Sequence, residues 1–66
     1  MSVYEIIIKC ADDVGKERIK AADVENNRIK RDNLLRIEYI LIELATSAAT
    51  HQRPDIDRIK RYIEGT

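Results

Sequence analysis

Two side chains in this 66-residue chain are suited to nucleophilic or general-base chemistry, Cys10 and His51, and each is the only residue of its type. A thiol becomes a useful nucleophile when an imidazole or a cation depresses its proton affinity, and the base must itself be oriented by a third group. No nucleophile motif surrounds either position, and the two lie far apart in the chain. Cys10, set among Ile6, Ile7, Ala11 and Val14, reads as a small buried hydrophobe. His51, just before a proline-containing break, reads as a helix C-terminal residue favoured by the helix dipole. One thiol and one imidazole supply too few N/S ligands for a structural metal site, and the carboxylates do not recur at metal-ligand spacing. The two glycines are too widely separated to build a phosphate-cradling loop. The sequence therefore points away from an enzyme and implies no catalytic residues, metal or cofactor.

Charge narrows the partners. Lys plus Arg and Asp plus Glu are equal at 12 each, so the net charge is zero. Two basic groups stand out, Arg28/Lys30/Arg31 and Arg53/Arg58/Lys60/Arg61. Both are interleaved with acids (Asp32; Asp55, Asp57 and Glu64) and read as solvated faces. Neither nucleic acid nor an anionic membrane is an expected partner. No apolar run approaches membrane-spanning length, and the first residues lack the basic and apolar regions of a signal peptide. An unpaired cysteine suits a reducing, cytoplasmic location.

The apolar heart lies between Leu34 and His51. Leu34, Ile37, Leu41, Leu44 and Ala48 recur at helical spacing, Ile40 widens the stripe on one side, and Leu35, Ile42 and Ala49 widen it on the other. An arc that wide exceeds what one neighbouring helix can cover. Glu38 projects into it. A carboxylate there is costly unless paired, so it either sits at the edge of the packed surface against an Arg or Lys, or serves as a specificity charge or functional acid in an interface. The expected interface is Leu34, Ile37, Glu38, Ile40, Leu41, Leu44 and Ala48.

The N-terminal stretch SVYEIIIK supports two readings. As a strand it sends Tyr4, Ile6 and Ile8 to one side. As a helix it has Ser2 as N-cap with Glu5 at capping-box spacing, Met1 stapled to Ile6, and a stripe of Val3, Ile6, Ile7, Cys10 and Val14. The helix is preferred, because the chain holds no second run for a strand to pair with. Gly15 either ends this first helix or weakens a continuous one. From Asp12 to Asp32 a charged helix carries the thin stripe Ile19, Ala22, Asn26, Ile29 and Asn33, in which an asparagine could set the register of a helix pair. Asp32-Asn33 supplies the turn and cap before an apolar helix from Asn33 to Thr50. Pro54 breaks that helix. A short last helix from Asp55 to Glu64 brings Ile56, Ile59 and Ile63 onto one face, with Gly65 as its C-terminal cap.

The expected fold is all-α: a single small helical domain over residues 1–66, a hairpin or bundle completed by dimerisation. A short N-terminal strand plus helices is the alternative. A domain this small with no disulfide needs idealised packing or a partner chain. The function expected is a small cytoplasmic protein–protein interaction module, an adaptor, regulator or co-chaperone, whose partners are a second copy of itself and another protein. The alternative is a dimeric DNA-binding regulator of the ribbon-helix-helix plan, which requires the strand.

Overall fold

The computed structural model describes residues 2–64, and they form three helices: α1 (Val3–Asp23), α2 (Arg28–Thr50) and α3 (Ile56–Glu64). The chain is all-α, with no strand among the described residues. The stretch SVYEIIIK belongs to α1. Its start is set by Ser2, whose backbone is extended and whose Oγ accepts a hydrogen bond from the Glu5 N–H at 3.1 Å. The strand alternative is thereby corrected: the cap is satisfied locally, whereas a strand would have left its backbone groups unpaired. The staple expected from Met1 and the cap expected at Gly65 fall outside the described residues.

Gly15 does not interrupt α1, and the turn expected at Asp32-Asn33 lies earlier, at Val24 to Asn27. Two adjacent asparagines explain the shift. Asn26 adopts the left-handed region (φ 51°), which asparagine tolerates better than other non-glycine residues. Asn27 is the N-cap of α2, its Oδ1 accepting from the Lys30 N–H at 3.1 Å. The Lys30 ammonium also grips the Glu25 carboxylate at 2.9 Å across the turn. The stripe drawn from Ile19 to Asn33 therefore crosses a reversal and is no seam, and its asparagines are exposed. At the far end of α2, His51 takes the left-handed C-cap conformation (φ 56°), and the Gln52 N–H bonds back to the Ser47 carbonyl. Asp55 then accepts from the Arg58 N–H at 3.0 Å and starts α3.

α1 and α2 form an antiparallel hairpin. Among the covered positions, the set facing the other helix is Ile7, Ala11, Val14, Arg18 and Ala21 on α1, and Leu34, Glu38, Leu41, Ala45 and Ala48 on α2. Both series step by alternating fours and threes, the signature of a coiled-coil-like seam. Among the described residues the buried apolar side chains are two alanines, Ala21 and Ala45, which allow close helix approach. α3 lies against the other flank of α2. Tyr62 stacks on Tyr39 with centroids 5.3 Å apart, and Arg58 reaches Glu43 at 3.4 Å. α2 is thus the middle of three helices in one layer. The Cα trace measures 38 × 29 × 9 Å, so the layer is one helix thick. A layer of that thickness has two broad faces and no interior.

Candidate functional site

The two faces of the layer differ. At about 100° per residue, the α1 side of α2 carries Glu38 and the α3 side carries Glu43. Between them, on one face, lie Ile37, Ile40 and Leu44. On the same side α1 presents Val3, Ile6 and Cys10, and α3 presents Ile56, Ile59 and Ile63. Each helix contributes a triplet at i, i+3, i+7 to this side; those of α2 and α3 are level with each other, and that of α1 is displaced toward the open end of the hairpin, with Glu17 further along α1. The members are largely solvent-facing: Val3 is 65% exposed, Ile37 43% and Ile63 64%. Toward the open end of the hairpin the face deepens into an apolar cleft of about 620 Å³, lined by Val3, Ile7, Leu44, Ala48 and Pro54 among others.

The opposite face carries Tyr4, Ile8, Ile19, Tyr39 and Ile42, with ion pairs at its edges and between them. Asp12 pairs with Lys16 at 3.3 Å, Arg31 with Asp32 at 2.9 Å, and Arg58 stands above α3.

The seven residues expected at an interface separate into two sets. Ile37, Ile40 and Leu44 lie on the apolar face. Leu34, Glu38, Leu41 and Ala48 belong to the stripe turned toward α1, with Ala48 also at the rim of the cleft. Glu38 accepts a hydrogen bond from the Arg18 Nε within that seam, and its side chain is only 15% exposed. The carboxylate fits because Gly15 lies opposite: a Cβ there would meet Glu38 Oε1 at 3.0 Å. Glu38 is therefore a partnered charge that joins the two halves of the hairpin. Sequence reasoning missed Val3, Ile6, Ile56, Ile59 and Ile63 as members of one surface. Each triplet was visible in the sequence, but its alignment with the others depends on the order of helices in the layer.

Cys10, expected as a small buried hydrophobe, is instead exposed in the first half of α1, because its side chain lies off the stripe that meets α2, whereas His51 terminates α2 as expected. The residues lining the cleft include His51 but not Cys10. Among the described residues no cluster of three or more His, Cys, Asp or Glu side chains is placed to hold a metal, and no helix is long and apolar enough to cross a membrane. The ribbon-helix-helix plan loses its structural premise, since the segment that would form the ribbon is helix. No family model, curated protein or solved structure matches the chain.

Proposed function

We propose that the chain is a small protein–protein interaction module, an adaptor, regulator or co-chaperone of the cytoplasm, that works through its three-helix apolar face as a homodimer. The observation that supports this reading is a layer one helix thick whose three helices all expose large apolar side chains on the same face. The chain exposes 5094 Å², whereas a compact monomer of its 7.7 kDa would expose about 4,300 Å². The radius of gyration agrees: 12.7 Å, against about 11 Å for a compact chain of this length.

Light scattering on a size-exclusion column tests the proposal. The wild-type chain is expected at the mass of two chains. Ile37→Asp, on the apolar side of the middle helix, is expected at one, with Ile19→Asp on the opposite face unchanged. Ile37 is a cleaner probe than Leu41, because Leu41 lies in the hairpin seam, where a carboxylate would also disrupt the monomer. A folded wild-type monomer at tens of micromolar would contradict the proposal.

A further inference from the structure

We infer that the second copy stacks on the apolar face with its helices running parallel to those of the first, so that α3 of each protomer covers the middle of α1 of the other, around Cys10 and Val14. This rests on the self-association proposed above and adds its geometry. Two layers placed face to face can be related by a two-fold axis along the helices or across them. An axis along α2 sets α2 on its own copy and α1 over the partner's α3. An axis across the helices sets α1 on α1 and α3 on α3.

Three features favour the first arrangement. The extents are compatible: α3 has 9 residues and is short enough to lie along α1 between Ile6 and Glu17, where α1 presents Cys10 and Val14. The levels match as well. Gly15 lies against Glu38, and Tyr39 against Tyr62, so within one protomer the end of α3 is level with Val14 and Gly15. A two-fold axis along the helices preserves these levels. Ile56 of one chain then falls between Ile6 and Cys10 of the other, and Ile59 between Cys10 and Val14, an interleaving of knobs and holes. The charges match too. Lys60 lies at the outer edge of the α3 face and Asp13 at the outer edge of the α1 face, so the stack brings them together at the rim, where a salt bridge is hydrated rather than buried.

The native cysteine provides the test. α1 and α3 of one chain flank α2 and stand two helix spacings apart, about 16–20 Å, beyond the reach of a disulfide. Ile56→Cys, which retains Cys10, is oxidised with a mild thiol oxidant and run on a non-reducing gel. The expected product is a covalent dimer, formed by oxidation of two thiols with loss of two protons and two electrons to that oxidant. Ile59→Cys is expected to cross-link likewise. Cys10→Ser/Ile56→Cys and the wild-type chain are each expected to remain uncrosslinked. A covalent dimer from the wild-type chain would overturn the arrangement in favour of the crossed one. No cross-link from either variant, in a sample whose mass is two chains, would overturn the arrangement while leaving self-association intact. A mass of one chain would overturn both.

Discussion

At the residue scale, the Arg18–Glu38 pair shows how a charge can occupy a helix seam. Its two side chains are partly covered, Arg18 more exposed than Glu38. Removing one partner is costly because the other remains desolvated; replacing both by apolar groups is much less so. Arg18→Ala is expected to lower stability by about 1–3 kcal/mol in a urea titration, discounted for the exposure of the arginine. Arg18→Leu/Glu38→Leu should lose less than that. Gly15 belongs to the same construction. In an exposed helix interior, Gly→Ala stabilises by about 1 kcal/mol, but here the new methyl group would press on a carboxylate that Arg18 holds in place. Gly15→Ala is therefore expected to gain less in the wild-type chain than in a Glu38→Ala background. Equal gains in the two backgrounds would contradict the contact.

At the element scale, the helix ends decide the hairpin. Asn27→Ala removes the α2 N-cap and should cost about 1 kcal/mol of stability. Asn26→Gly and His51→Gly relieve left-handed backbone in non-glycine residues, and each should be neutral or stabilising by up to about 1 kcal/mol. β-Branched substitutions at either position should destabilise, as thermal melts would show. These ends also explain what could be read in advance. Ser2 with Glu5, Pro54, and Asp55 ahead of Ile56 are local signals and mark their boundaries correctly. The first turn was misplaced because Asp32-Asn33 and Asn26-Asn27 are similar as isolated dipeptides. What distinguishes them is tertiary: a turn at Asn26 pairs the two seams from Ile7 to Ala21 and from Leu34 to Ala48. The wide apolar arc of α2 was legible for the same reason that its division was not. Periodicity reveals how much of a helix is apolar, while the neighbouring helices determine which part they cover.

At the scale of the whole molecule, the fold and its proposed function are one problem. A chain of this size has little surface to bury. Laid out as a single layer, this one encloses only small side chains among the described residues, with Ala21 and Ala45 the buried apolar ones. Larger apolar side chains lie on the faces. If a second copy covers one of them, folding and association are linked, and the melting temperature should rise with protein concentration. A melting temperature constant over a hundredfold range of concentration would separate the two processes. The most direct measurement is sedimentation equilibrium of the wild-type chain across that range. The account predicts a mass near twice the 7.7 kDa of one chain, falling toward one chain on dilution together with helix content. A fully helical species that stays at one chain throughout would show that the layer is stable with its apolar face in water, and would contradict the account.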